Sequence, residues 1–277
     1  LQMIYVSWST IQGNEAVVND VIEFLQQPLE EKQDKEDSAL QFENKILLSN
    51  LSFQYTSEGP QVISNINLEI KKGSKVGFIG ATGSGKSTLI DIIMGLLEPS
   101  SGELSVDGKI INIDTQGRWQ QNIAHVPQNI FLSDSSIQEN IAFGVPSEKV
   151  NHDRVKLAAR QAQIDELIET WPKKYRTFVG ERGIRLSGGQ LQRIGIARAL
   201  YKRASIIVFD EATSSLDMQT EELMMKTIDG LDKDLTILII SHRLTTLKNC
   251  DKVIEIEEGT IKRVGRFDEI INNSIID

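Results

Sequence analysis

Residues 80–87 (GATGSGKS) have the composition of a loop that binds phosphate groups. They fit the pattern G-x-x-x-x-G-K-[ST], and they follow a short apolar run and precede a helical pattern, as this motif requires. Glycines let backbone N–H groups turn inward around phosphates, and the start of a helix adds the positive end of its dipole. The expected nucleotide contacts are Gly80, Ala81, Thr82, Gly83, Ser84, Gly85, Lys86, Ser87 and Thr88.

Two residues of this loop have more specific expected roles. The Lys86 ammonium is expected to reach the β- and γ-phosphates, and the Ser87 hydroxyl to ligate Mg²⁺. A chance glycine-rich turn is the alternative interpretation. The strand before the loop, the helix after it and an acidic strand further along the chain together argue against that alternative.

The acidic strand ends in Asp210 and Glu211. It is the apolar run 206–209, which would hold the Asp210 carboxylate beside a metal ion bound to the phosphates. In isolation, an Asp-Glu pair is also compatible with capping the next turn. Downstream of a phosphate-binding loop, metal binding is the favoured interpretation.

A second glycine-rich segment, residues 186–190 (LSGGQ), opens another helical pattern; we call it the signature segment. Ser187, with the N–H groups of Gly188 and Gly189, offers another anion cradle at a helix start. One chain needs only one cradle for each nucleotide. The second cradle makes sense if it closes over the γ-phosphate held by another copy of the chain.

In this order, the loop, the signature segment and the acidic strand resemble the nucleotide-binding domain of ATP-binding cassette (ABC) transporters. The resemblance runs from about Lys45 to the C-terminus. It implies an ATPase that uses ATP and Mg²⁺ and works as a pair of cassettes, with a homodimer expected. The two cassettes would close around two ATP molecules, hydrolyse them and reopen.

The resemblance also implies individual roles. Glu211 matches the position that polarises or deprotonates the attacking water. Gln128 matches the glutamine that touches Mg²⁺ and the water, and His242 matches the histidine that contacts the γ-phosphate. Tyr55 matches the aromatic residue that stacks on adenine, although a core aromatic is an open alternative because Phe53 and Tyr55 alternate on one predicted strand.

Further positions follow from the same resemblance. Catalytic roles fall to Glu211, His242, Gln128 and Lys86; metal binding falls to Ser87, Gln128 and Asp210; the signature residues that meet ATP are Ser187, Gly188, Gly189 and Gln190. Leu216-Asp217 matches the loop that crosses the dimer interface. His125 and His152 match no such position, and we assign them structural roles.

The hydrophobic pattern predicts an α/β fold with helices on both faces of the sheet. Apolar β-branched runs at 75–79, 206–209, 235–240 and 253–256 indicate buried strands. Strands at 46–55 and 65–70 and a hairpin at 103–111 predict an antiparallel portion. Helices are expected at 88–97, 193–202 and through most of 135–174. The resemblance identifies the whole as a P-loop NTPase core with a mixed sheet and an inserted helical subdomain, at about 129–200.

The N-terminal part of the chain lies outside the resemblance to the cassette. Residues 11–25 have helical apolar spacing, and residues 30–38 (EEKQDKEDS) form a charged, solvated stretch. We predict a membrane-domain helix end at 1–28, a linker at 29–44 and the cassette at 45–277. The alternative is that the first helix packs on the cassette itself.

Composition sets limits. With 40% hydrophobic residues, 277 residues suffice for one large core. A net charge of −9 and a pI near 5.0 argue against nucleic-acid binding. One cysteine permits no internal disulfide, which fits a reducing compartment. No apolar run is long enough to cross a bilayer, so this chain alone is expected to be soluble, at the cytoplasmic face of a membrane.

Residues 178–183 (FVGERG) resemble the run by which exporter cassettes meet their own transmembrane domain. This favours an exporter over two alternatives, a soluble ABC ATPase acting on DNA or ribosomes and an importer subunit. Residues 77–97 and 241–251 further resemble exporters that flip lipid-linked saccharides or glycolipids, which suggests such a cargo.

Overall fold

The computed structural model describes residues 1–26, 38–180, 183–212 and 218–272. The chain divides into two compact units, Leu1–Asp37 and Ser38–Asp277. In the first unit, helix α1 (Gln2–Gln26) begins well before the predicted 11–25. Most of the predicted charged stretch lies outside the described residues. None of the helices in the described ranges combines the length and apolarity that a membrane span needs.

The second unit contains ten strands and eight helices within the described residues. The strands are β1 (Lys45–Phe53), β2 (Ile63–Lys71), β3 (Lys75–Ile79), β4 (Ser101–Val106), β5 (Lys109–Ile110), β6 (Ile123–Val126), β7 (Ile206–Asp210), β8 (Thr236–Ile240), β9 (Lys252–Glu257) and β10 (Thr260–Gly265). The helices are α2 (Lys86–Ile93), α3 (Gln116–Gln120), α4 (Ile137–Ile141), α5 (His152–Gln161), α6 (Asp165–Thr170), α7 (Gly188–Lys202), α8 (Met218–Asp229) and α9 (Phe267–Asn272).

These strands form two sheets. The antiparallel sheet has the order β2-β1-β4-β5, and the mixed sheet has the order β10-β9-β3-β8-β7-β6. In the mixed sheet the pairs β9–β3, β3–β8, β8–β7 and β7–β6 are parallel, whereas β10 runs antiparallel to β9. The predicted α/β class, with an antiparallel portion ahead of a mixed sheet, is confirmed.

Both faces of the mixed sheet are buried, because successive strand residues point to opposite sides. On β7, Ile206 and Val208 join the core shared with the antiparallel sheet and α2. Ile207 and Phe209 join the other core, which contains α5 and α7. This two-sided burial explains the continuous apolar runs in the sequence.

Some predicted boundaries were wrong for local physical reasons. Helix α2 ends at Ile93 rather than Leu97, because Gly95 takes φ +69° and breaks the helical geometry. Residues 135–174 are broken into α4, α5 and α6, with residues 142–151 between α4 and α5 and residues 162–164 between α5 and α6. Strand β1 ends at Phe53, so Tyr55 lies outside it.

Part of the predicted linker 29–44 belongs to the core shared with the antiparallel sheet and α2. Leu40 and Phe42 are buried there, and the Phe42 ring meets Trp119 edge-on at a centroid distance of 5.8 Å. The Trp119 indole Nε1–H donates to the carbonyl of Ile93 over 2.8 Å. Trp119 therefore ties residues 40–42 to the end of α2.

Trp119→Ala is expected to lower the free energy of unfolding by about 3–5 kcal/mol, because it leaves a large cavity at a fully buried position. It also leaves the Ile93 carbonyl without its indole donor. Urea denaturation followed by far-UV circular dichroism measures the change. Trp8→Ala is the control, since Trp8 is exposed and should change stability by less than about 0.5 kcal/mol. Equal effects of the two variants would contradict the assignment.

Candidate nucleotide-binding site

Four neighbouring parallel strands end at one edge of the mixed sheet, and each is followed by predicted site residues. The phosphate-binding loop follows β3, and His242 comes two residues after β8. Asp210 is the last residue of β7, and Gln128 comes two residues after β6. Because the order is β3-β8-β7-β6, the carboxyl ends of these strands bring the residues to the same edge.

The backbone of the phosphate-binding loop requires glycine at two positions. At Gly80, φ is +150°, and an added Cβ would lie 2.1 Å from the carbonyl oxygen of Ile256. At Gly85, the residue that caps α2, φ is +101° and an added Cβ would meet Ile63 at 2.8 Å. The loop therefore passes too close to β9 and to β2 for any side chain at these points.

Lys86 lies folded against its own loop. It is buried, and its Nζ donates to the carbonyls of Gly80 over 2.9 Å and Ala81 over 2.8 Å. Burial lowers the pKa of the Lys86 ammonium, and the Glu211 and Asp210 carboxylates oppose that shift. The positive charge is thus held between the loop and the acids.

The exposed part of the loop faces outward beside this ammonium. Ala81, Thr82 and Gly83 are exposed, and so is Ser87 in the first turn of α2. Ser84 is buried and lies 3.5 Å from Lys86 Nζ through its Oγ. The hydroxyl of Ser87 is accessible to a ligand.

Glu211 and His242 form a contact at the edge of the sheet. His242 Nε2 lies 2.7 Å from Glu211 Oε1, with the side chains 42% and 23% exposed. The backbone of Glu211 has φ +47°, in the left-handed region, and its N–H donates to the carbonyl of Ile240 over 3.0 Å. A non-glycine residue in this region is strained, and such strain is common at functional sites.

Asp210 lies among other titratable groups. Burial raises the pKa of its carboxyl; His125 and Lys86 oppose the shift, and Glu211 adds to it. Burial likewise raises the pKa of Asp91, on α2, with His125 opposing and Asp210 adding. The edge of the sheet is therefore crowded with charge.

His125 was assigned a structural role from the sequence, but it borders this site. Its Nε2 lies 4.0 Å from Asp210 Oδ2. Burial lowers the pKa of the imidazole, against the effects of Asp210 and Asp91. The sequence signal that could have found His125 is its place on β6, three residues before Gln128; Asp91 had no signal beyond its position on the helix after the loop.

Tyr55 is 63% exposed, so it is not a core aromatic, which was the alternative left open by the sequence. Its hydroxyl and the Thr88 hydroxyl lie 3.0 Å apart in a hydrogen bond. Its ring meets the buried Phe53 edge-on at 5.0 Å. These two contacts fix an exposed aromatic ring beside the first turn of α2.

The signature segment caps α7. Ser187 Oγ accepts from the Gln190 N–H over 3.4 Å, and Gln190 Oε1 accepts from the Ser187 N–H over 3.0 Å. Ser187 and Gly188 are exposed, and a Cβ added to Gly188 would meet nothing within 4 Å. Within the described ranges, no hydrogen bond or ion pair joins this segment to the phosphate-binding loop. The chain thus leaves the space in front of Gly188 open.

The loop that carries Gln128 is attached to α7. Gln192 Nε2, in a buried side chain, donates to the Gln128 carbonyl over 3.1 Å. A Cβ added to Gly195 would lie 2.1 Å from Ile130, so the absence of a side chain lets Ile130 pack on the helix. The exposed Gln128 side chain is therefore presented from a fixed segment.

A groove of about 690 Å³ lies beside β6. Its lining combines apolar and basic side chains from the residues after α2, from β6 and α7, and from the segment between α4 and α5; among them are Leu96, His125, Phe143, Lys149, Arg198 and Lys202. The Arg198 guanidinium lies over the Phe143 ring at 4.6 Å, and the Phe143 side chain is 55% exposed. This groove is an accessible surface beside β6, the strand that leads to Gln128.

Two predicted interface features lie partly or wholly outside the described residues. Leu216 and Asp217 lie outside them. Of the run 178–183, residues 181 and 182 lie outside them, while Gly180 and Gly183 take φ +78° and +73°. Their roles stay predictions, as do those of the individual site residues.

Comparison with known proteins agrees with this geometry. Residues 63–214 match the ABC transporter family model. The leukotoxin translocation ATP-binding protein LktB of Mannheimia glucosida is 37% identical over 267 residues, which are 96% of this chain and 37% of that protein. The protein of the same name from Pasteurella haemolytica-like sp. (strain 5943B) is 38% identical over 250 residues, 90% of this chain and 35% of that protein.

A solved structure of a bacterial Atm1-family ABC exporter with ATP bound has a TM-score of 0.81 and 29% identity, and the match covers 98% of this chain and 47% of that one. The chain spans only 37% and 35% of the two LktB proteins. The family model alone matches more than half of the 277 residues. The chain therefore belongs to the ABC transporter family, which confirms the prediction of an ATP-binding ATPase domain.

Proposed function

We propose that this chain powers export across a membrane by hydrolysing Mg-ATP between two copies of the cassette. The observation that carries this proposal is the contact between Glu211 and His242, 2.7 Å apart, at the sheet edge where the phosphate-binding loop begins. At this place the carboxylate can accept a proton from an attacking water, and the imidazole can contact the negatively charged γ-phosphate.

Binding of ATP would use the phosphate-binding loop and Tyr55. Loop N–H groups and the start of α2 surround the phosphates, and the exposed Tyr55 ring stacks on the adenine. Lys86 Nζ donates to two carbonyls of the loop, so its ammonium already lies where the phosphates would bind. Phosphate oxygens are stronger acceptors than these carbonyls and would draw the ammonium to themselves.

The donor groups at the edge fit Mg²⁺. This ion prefers oxygen ligands and usually binds through one or two carboxylates together with substrate phosphates. The Ser87 hydroxyl, the Asp210 carboxylate and the Gln128 amide oxygen supply such ligands. In the described residues no group of three or more His, Cys, Asp or Glu could hold a metal by itself, which suits an ion that arrives with its nucleotide. When bound, Mg²⁺ neutralises charge on the phosphates.

For hydrolysis, Glu211 would accept a proton from the attacking water. His242 would contact both the Glu211 carboxylate and the γ-phosphate. Glu211 combines a left-handed backbone, with φ +47°, and a carboxylate that lies 2.7 Å from His242. Gln128 would help to orient the water.

A second copy of the chain is needed because the signature segment is exposed and, among the described residues, makes no hydrogen bond or ion pair with the phosphate-binding loop of its own chain. Ser187, Gly188, Gly189 and Gln190 would close over the γ-phosphate held by the partner. The open space in front of Gly188 is needed by no neighbour within the described chain. That space suits a ligand brought by another copy.

Coupling to a membrane domain is supported by the groove beside β6 and by α1. The groove offers an exposed Phe143 and basic side chains to a docking segment. Helix α1 carries exposed apolar residues such as Trp8, Val17 and Ile22, as the end of a membrane-linked helix would. We therefore place the chain at the cytoplasmic face of a membrane, attached to its own transmembrane domain.

The names of the relatives favour a toxin as cargo over a saccharide. Two of them are named for leukotoxin translocation. The predicted lipid-linked saccharide or glycolipid has no support among the similar proteins, and we do not propose it. An importer subunit or a soluble ABC ATPase is the alternative function; cosedimentation of the full-length protein with membranes after salt extraction distinguishes a covalently attached membrane domain from both.

Lys86→Ala is expected to weaken ATP binding about 10- to 100-fold, because it removes charge-assisted hydrogen bonds to the phosphates worth about 1.5–3 kcal/mol. Titration with a fluorescent ATP analogue measures the dissociation constant. Lys45→Ala is the control: Lys45 pairs with Glu69 on the antiparallel sheet and should leave affinity unchanged. An affinity of Lys86→Ala within twofold of the parent would exclude this role.

Glu211→Gln is expected to give a stable ATP-dependent dimer. The amide keeps the size of the carboxylate but cannot accept a proton at neutral pH, so ATP stays bound between the copies. Size exclusion with light scattering should show a mass near twice 31.0 kDa with ATP and a monomer without it. Adding Ser187→Arg should abolish the dimer, because the side chain fills the cradle.

A gentler variant tests the same interface without disturbing the fold. Gly188→Ala in the Glu211→Gln background adds a methyl group that meets nothing in its own chain, so the melting temperature should not fall. The dimer should nevertheless weaken. Gly117→Ala, in an equally open position on α3, is the matched control and should dimerise normally. Dimers that withstand both Ser187→Arg and Gly188→Ala would refute the shared site.

A further inference from the structure

A buried carboxylate on α8 is bound to the residues that follow His242. Glu221, in the first turn of α8, has a side chain only 9% exposed. It forms an ion pair with the Arg243 guanidinium and accepts from Thr245 Oγ1 over 3.2 Å. Burying a carboxylate is unfavourable unless it is paired. The buried Glu221 side chain therefore holds the loop after β8 against α8.

Side chains of the same loop bind the backbone next to His242. Ser241 Oγ accepts from the Arg243 N–H over 2.9 Å and donates to the Arg243 carbonyl over 3.0 Å. Thr246 Oγ1 donates to the same carbonyl over 2.6 Å. His242 therefore directly precedes a residue, Arg243, whose backbone N–H and carbonyl are both bound by side chains.

His242 itself is not held by burial. Its side chain is 42% exposed, and its contact with Glu211 depends on where the loop presents the ring. A shift of about 1 Å in a reacting group can reduce turnover about 100-fold. The anchoring of Arg243 is thus the feature of the loop best able to set the position of His242.

We infer that Glu221 is a positioning residue, which holds His242 against Glu211 through its ion pair with Arg243 and its hydrogen bond with Thr245. The inference rests on the proposed function, since it concerns the histidine assigned to the γ-phosphate. Glu221 does not touch the reacting atoms. Its effect passes through the backbone of the loop.

Glu221→Gln keeps the size of the side chain and removes its charge. We expect kcat for ATP to fall about 10- to 100-fold, with the KM for ATP and the affinity for a fluorescent ATP analogue within twofold of the parent. The double variant Glu221→Gln/His242→Ala should be no slower than His242→Ala alone, because both changes act on the same group.

Asp229→Asn is the matched control. Asp229 lies at the other end of α8 and pairs with Lys75 over 2.9 Å, at the start of β3 and away from the site. The same kind of acid-to-amide change there should leave kcat unchanged. A fall in kcat common to both variants would indicate a general effect of α8 and overturn the inference.

A spectroscopic measurement needs no turnover. The chain has three histidines, so the imidazole resonances can be assigned by comparison with His242→Ala. Glu221→Gln should shift the His242 resonance and leave those of His125 and His152 in place. Asp229→Asn should shift none. An unmoved His242 resonance in Glu221→Gln overturns the inference.

Thr245→Val provides a milder test if Glu221→Gln does not fold, because it removes only one hydrogen bond to Glu221. It should shift the His242 resonance in the same direction and lower kcat by a smaller factor. The two hypotheses fail separately. Normal hydrolysis by His242→Ala would refute the proposed role of His242, whereas slow His242→Ala with a normal Glu221→Gln and Thr245→Val would refute only the inference about Glu221.

Discussion

Parallel pairing of β3, β8, β7 and β6 is the constraint on which the site depends. In this register Phe78 and Asp210 both lie opposite Ile240, so the phosphate-binding loop and the acids leave the sheet at the same level. A shift of β7 by one residue would exchange its two faces and move Val208 from one core to the other. Both cores are filled, so burial of the strands fixes the position of the catalytic edge.

The same rigid edge carries an electrostatic cost. Asp91 and Asp210 have raised pKa values because they are buried, and the pKa of Lys86 is lowered for the same reason. Partial burial disfavours the charged form of each of these groups. In the proposed function, an Mg²⁺ ion and the phosphates of ATP would bring the opposite charges to this edge. Binding would then relieve an arrangement that the folded chain maintains at some expense of stability.

The sequence predicted the parts of the fold that a strong local pattern specifies. Strands β7 and β8 have long apolar runs because both their faces are buried, and their predicted ends agree with the structure within one residue. Strand β10 was missed because it is an edge strand in which two charged residues, the exposed Lys262 and the half-buried Arg263, interrupt the apolar pattern. Motif spacing singles out Lys86 as a candidate site residue. The approach of His125 to Asp210, by contrast, arises from the tertiary pairing of β6 with β7 and is marked by no such motif.

Helix α7 links two parts of the proposed mechanism that the sequence separates by about sixty residues. Its first residue follows Ser187, and one turn later Gln192 binds the Gln128 carbonyl. Gly195, on the next turn, lets Ile130 pack against the helix at a distance that a methyl group would forbid. Moving Ser187 without moving Gln128 would break a buried hydrogen bond and open this contact. The residue proposed to orient the attacking water and the residue proposed to cap the partner's nucleotide are therefore attached to one rigid element.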